Sequence, residues 1–164
     1  MKRLIKALFV SMTLALSACT PTQKTDGTVK RTIRIGTEQF TASLDSALEW
    51  NGWFTVRYGI GETLFKVEDN MEIKPWLVSN AENIDTKTWK LTLRENIKFS
   101  DGTTMDAKSV VDNLHHIAQE NARADFLKGA EYEIDGHTIT IKTVEPRATL
   151  LSDLSDPMFT MSNL

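Results

Sequence analysis

Three histidines, His115, His116 and His137, are the first residues of this 164-residue chain that could hold a metal or move a proton. A helix offers a metal two histidines at i and i+4. His115 and His116 are adjacent, so their side chains leave a helix about 100° apart and do not converge on one ion. We expect one to be half-buried and one solvated, with His137 on the surface at a hairpin tip. Glu38, Asp45, Glu49 and Glu62 are the carboxylates that a fold could pair, and each reads more simply as solvated or structural. No serine sits in a strand–turn–helix nucleophile frame. Gly59 and Gly61 lack the third glycine and the preceding strand that a dinucleotide loop needs. Cys19 is the single cysteine, so no intrachain disulfide forms. The chain thus carries no catalytic constellation, no metal set and no cofactor motif. Trp50 and Trp53 flank Asn51-Gly52 at a loop–helix junction and read either as core or as binding groups, which concentrate at such junctions.

The elements that must position these groups follow from periodicity. Residues 31–36 alternate, with Ile33 and Ile35 on one face, and read as a first strand. A loop over 38–51 leads into a helix expected over 50–65, where Trp50, Trp53, Phe54, Arg57 and Tyr58 recur at three- and four-residue spacing. Gly59 and Gly61 inside that helix would each cost roughly 1 kcal/mol relative to alanine, which points to a kink or a close backbone approach. Phe54 and Tyr58 read as core. Residues 66–73 form a strand–turn–strand around Glu68-Asp69-Asn70, Pro75 breaks pairing, and Trp76-Leu77-Val78 begins a short packing segment. Residues 88–94 alternate with Trp89, Leu91 and Leu93 inward, a half-buried strand. A strand over 96–100 is closed by Asp101-Gly102. Thr104 or Asp106 caps a helix over 107–119, with Val110, Val111, Leu114, Ile117 and Ala118 in one apolar stripe. A short helix over 121–128 ends at Gly129. Residues 131–143 form a hairpin turning at Asp135-Gly136. Pro146 starts a helix lined by Leu150, Leu151 and Leu154, and 158–161 reads as a final strand.

Composition sets the class. Hydrophobic residues at 41% and charged ones at 25% fit a soluble globular domain with one core. Residues 1–18 stand apart: Lys2, Arg3 and Lys6 form a basic head, followed by an apolar run over 7–16 too short to span a bilayer permanently. Leu16-Ser17-Ala18-Cys19 resembles the lipobox of bacterial lipoproteins. That resemblance implies a signal peptide cleaved before Cys19 and a lipidated Cys19 thiol, with several acyl chains giving stable membrane attachment where one would not. Residues 19–30, with Pro21 and Gly27 and no apolar period, read as a flexible linker. The leader holds three of the 19 Lys+Arg and none of the 22 Asp+Glu, so the remainder carries a formal charge of −6. That balance argues against nucleic acid as a partner and against anionic lipid.

Five segments in fixed order then carry a family resemblance. They are Gly61-Glu62-Thr63-Leu64-Phe65-Lys66, Ile73-Lys74-Pro75-Trp76-Leu77, Trp89-Lys90-Leu91-Thr92-Leu93-Arg94, Ile97-Lys98-Phe99-Ser100-Asp101-Gly102-Thr103 and Asp106-Ala107-Lys108-Ser109-Val110-Val111. Together they resemble the family 5 extracellular solute-binding proteins of bacterial importers for oligopeptides, dipeptides and nickel chelates. Val78 stands where that family usually has alanine, and Ser109 where it usually has an acid. The resemblance covers about residues 33–161. It implies an α/β (α+β, mixed-sheet) fold of the periplasmic-binding-protein-like type II kind. Within a domain at 31–164, the chain would hold the start of lobe one and the inserted subdomain. Relatives close two lobes on a ligand, so a partial protein without its second lobe is expected. The implied function is non-enzymatic: capture of peptides or a nickel chelate, without a cofactor, for delivery to ABC permease and ATPase subunits. In the family the loop matching 38–51 runs past the ligand cleft. Glu38, Glu49, Trp50, Asn51 and Trp53 are therefore the expected ligand wall, although Ser46 replaces that loop's proline. Family members that bind nickel chelates use an arginine just after the proline matching Pro157. Met158 stands there, which leans the expectation toward peptide. The alternatives are a truncated, non-binding remnant and a lipid-anchored secreted hydrolase, for which no residue frame speaks.

Overall fold

The computed structural model describes residues 32, 34, 36, 37 and 41–164. The signal peptide, Cys19, the linker, Glu38 and the apolar pair of the strand expected over 31–36 lie outside the described residues. Every element below belongs to one compact unit, residues 37–164.

The first helix, α1 (Asn51–Arg57), is followed by a two-stranded ladder of β1 (Phe65–Val67) and β2 (Ile73–Pro75). Its register sets Phe65 opposite Pro75, so the proline closes the ladder as its last partner. Four further strands, β3 (Val78–Asn83), β4 (Thr88–Leu93), β5 (Glu131–Asp135) and β6 (Thr138–Lys142), form one antiparallel sheet in the order β3-β4-β6-β5. The period-two pattern explains the two central strands. Leu91 and Leu93 of β4 and Ile139 and Ile141 of β6 are all buried, while their alternating neighbours are not. Helix α2 (Ala107–Glu120) covers this core with Val110, Leu114 and Ile117 at three- and four-residue spacing.

The start of α2 is chemically specified. The Asp106 carboxylate accepts from the Ser109 backbone N–H at 2.7 Å, and the Ser109 hydroxyl accepts from the Asp106 N–H at 3.0 Å. Ser109, a departure from the family pattern, therefore completes a reciprocal capping box that satisfies two helix-end amides. A 3₁₀-helix (Ala122–Leu127), the short α3 (Leu150–Asp153) and a second 3₁₀-helix (Pro157–Phe159) complete the unit.

Several expectations shift. The helix expected over 50–65 ends at Arg57, because Gly59 takes φ 67°, a left-handed value that glycine tolerates. A Cβ on Gly61 would lie 2.2 Å from the Thr160 methyl, the close approach its glycine implied. The strand expected over 96–100 is one isolated bridge, Lys98 to Thr104. The hairpin turns at Gly136-His137, since Asp135 still pairs with Thr138. The helix near Pro146 begins only at Leu150, and the final strand is a 3₁₀ turn capped by Asp156. The edge strand β3 was not foreseen.

Candidate recognition surface

The loop that leads to Trp50 is held by side chains rather than by a proline. The Thr41 hydroxyl bonds Asn51 Oδ1, and Asn51 Nδ2 donates to the Asp45 carbonyl at 3.0 Å. The Ser46 hydroxyl, buried, donates to the Thr160 carbonyl at 3.0 Å. Asn121 Nδ2 donates to the Ala47 carbonyl at 2.9 Å. His116 Nε2 meets Asp45 Oδ2 at 2.9 Å. His116 is thus the half-buried histidine and a loop anchor, while His115 lies on the exposed side of α2 and sets its ring 4.8 Å from Tyr132, edge-on. Glu49, at φ 48°, makes the last sharp bend before the helix.

Helix α1 then starts flush against the second 3₁₀-helix. A Cβ on Gly52 would fall 2.2 Å from the Pro157 carbonyl oxygen, so only glycine permits this approach. The contact brings Trp50, 62% exposed, to the same face as Asp156. Arg123, from the 3₁₀-helix Ala122–Leu127, lies across both: its guanidinium carbon is 5.8 Å from the Trp50 ring centroid, and its Nη2 pairs with Asp156 Oδ2. The other Asp156 oxygen accepts from the Met158 N–H at 3.0 Å and so is fixed by the helix cap. Beneath, Phe126 packs 6.0 Å from Phe159 and 4.2 Å from the Arg147 guanidinium, which Asp153 holds with two bonds of 2.7 and 3.1 Å.

Of the expected ligand wall, the structure places Trp50 and Trp53 at the surface and Glu49 beside them. Asn51 is buried and spent on the loop. Arg123 and Asp156 were missed, being 33 positions apart with no shared motif. Asp156-Pro157 does carry an N-cap signature, and reading it as a helix start rather than a stop would have located Asp156. A half-open hollow of about 510 Å³ lies elsewhere, between Ile60, Phe99, Met105 and Met161, and none of the expected residues lines it. Among the described residues, no group of three metal-ligating side chains comes together, and no helix is long and apolar enough to cross a membrane.

The described unit is an antiparallel sheet covered by one capped helix, with Trp50, Arg123 and Asp156 together on an exposed face. Residues 72–163 match the bacterial extracellular solute-binding proteins, family 5 Middle, and the chain belongs to that family. It is 29% identical over 103 residues to the nickel-binding protein NikA of Staphylococcus aureus, covering 62% of this chain and 21% of that protein. To the periplasmic oligopeptide-binding protein OppA of Salmonella typhimurium it is 33% identical over 70 residues, covering 43% of this chain and 12% of that one. The solved nickel ABC transporter protein of Bacillus halodurans superposes with a TM-score of 0.69 at 33% identity, over 74% of this chain and 26% of that one. The matched stretch therefore spans 21% and 12% of these curated relatives' length. The fold is the mixed helix-and-sheet fold of type II binding proteins, matched over part of its extent. Family members are solute-binding components that act outside the cytoplasm.

Proposed function

We propose that this domain is the lobe-one portion of a solute receptor that captures a peptide or a nickel chelate and delivers it to an ABC permease and its ATPases. A single observation supports it beyond family membership. Trp50 lies exposed with Arg123 across its face, an arrangement whose burial by a ligand would be favourable and whose exposure is otherwise unrewarded. Glu38, Glu49, Trp50 and Trp53 belong to the ligand wall in this reading, and Asn51 supports it from behind. Met158 is buried, and in this reading a carboxylate on the solute meets Arg123 instead. Nickel-binding and peptide-binding relatives both match, and a free peptide and a nickel–amino-acid chelate each carry a carboxylate.

Isothermal titration of the full-length protein with a mixed tripeptide pool and with nickel–L-histidine tests the proposal. Binding of one at micromolar affinity or tighter, lost at least tenfold in Trp50→Ala, is the expected result. Silence toward both would remove the receptor reading. The lipid anchor at Cys19 is proposed alongside it: the protein should partition with membranes, and Cys19→Ser should release it.

A further inference from the structure

The pairing of Arg123 with Asp156 says more than that a cation faces Trp50. An unpaired guanidinium over an indole would attract any anion, and polyanions most strongly. Here Asp156 cancels that charge. Asp156 does not swing aside, because its other oxygen caps the Met158 amide. Asn121 holds the Arg123 backbone through its own cap at 3.0 Å, so the 3₁₀-helix that carries Arg123 is fixed too. The Arg123 side chain stays 47% exposed, and a guanidinium has more N–H donors than this one contact uses.

Resting on the receptor reading above, we propose that Asp156 sets the charge class of the solute. The surface takes a carboxylate balanced by a cation of its own, as in a free peptide or a neutral metal–amino-acid chelate, and rejects polyanionic chelates by repulsion. Such discrimination works through a built-in unfavourable contact with the wrong ligand. A net-neutral solute sets its carboxylate on Arg123 and brings no excess negative charge to Asp156. A polycarboxylate satisfies Arg123 and opposes Asp156.

The test uses the full-length protein with four probes: trialanine, trialanine amide, nickel–L-histidine and nickel–citrate. The wild type should bind trialanine or nickel–L-histidine at least tenfold more tightly than nickel–citrate. Asp156→Asn keeps an oxygen for the Met158 cap and should improve nickel–citrate binding about tenfold relative to nickel–L-histidine, with the gain fading in high salt. An Asp156→Asn receptor with unchanged selectivity, or a wild type preferring nickel–citrate, would overturn the inference while leaving the receptor reading intact. Arg123→Gln leaves Asp156 in place and supplies a second route. It should erase the preference for trialanine over its amide, and a preference that persists would equally overturn the assignment. If the wild type binds none of the four and is also silent toward the mixed tripeptide pool, the receptor reading itself fails; binding of the pool alone overturns only the inference.

Discussion

The Tyr132 hydroxyl is buried without a hydrogen-bond partner, the one such side-chain atom among the described residues. A buried donor left unmade costs about 1–3 kcal/mol, so deleting it is not expected to harm the fold. Tyr132→Phe should leave stability unchanged or raise it by up to about 1 kcal/mol, measured by urea denaturation. Burial also pushes the Tyr132 phenol well above its ordinary value. The folded state therefore holds this proton where the unfolded chain releases it. Its contribution is intact below the unfolded value near 10 and falls as pH rises beyond it. The wild type should accordingly lose stability faster than Tyr132→Phe between about pH 10 and 11. At Asp106 the expectation reverses: Asp106→Ala removes the acceptor for the Ser109 amide and should cost about 1 kcal/mol, read from the same denaturation curves.

At the scale of elements, α2 carries the unit. Leu114 is fully buried in its apolar stripe, and Leu114→Ala should destabilise the domain by about 2–5 kcal/mol in thermal or urea unfolding. That helix and the hairpin of β5 and β6 were legible in the sequence because burial on one face imprints a period on the residues. Helix α2 ends at Glu120, one residue beyond the bound its stripe implied. Strand β3 left no such imprint. Of its six residues only Val78 is buried, and the strand exists through pairing with β4. Helix α1 was read too long because Tyr58 continues the aromatic spacing, whereas the chain turns at Gly59 for a backbone reason that hydrophobic pattern does not encode. The recognition surface was half legible. Trp50 and Trp53 announce themselves as large aromatics beside a turn, but Arg123 and Asp156 meet only through the packing of two 3₁₀-helices, a tertiary event without a local signature.

Across the whole molecule, three distant segments are tied by carboxamides and hydroxyls. Buried Asn113 of α2 donates to the Ser162 carbonyl at 2.8 Å and accepts from the Ser162 N–H at 2.9 Å, gripping the peptide as a neighbouring strand would. Asn113→Ala should cost about 1 kcal/mol and speed hydrogen exchange at the Ser162 amide, because a part-buried backbone pair loses its partner. Ser46 and Asn121 fasten the loop before Trp50 to the same body. The seam between Gly52 and Pro157 leaves no clearance at all. With the two pieces that bear Trp50 and Asp156 butted together, the gauge between ring and carboxylate is preset. On the proposed receptor reading, a bulkier guest would have no room to wedge them apart and would be accommodated by growing outward, toward whatever surface faces this one.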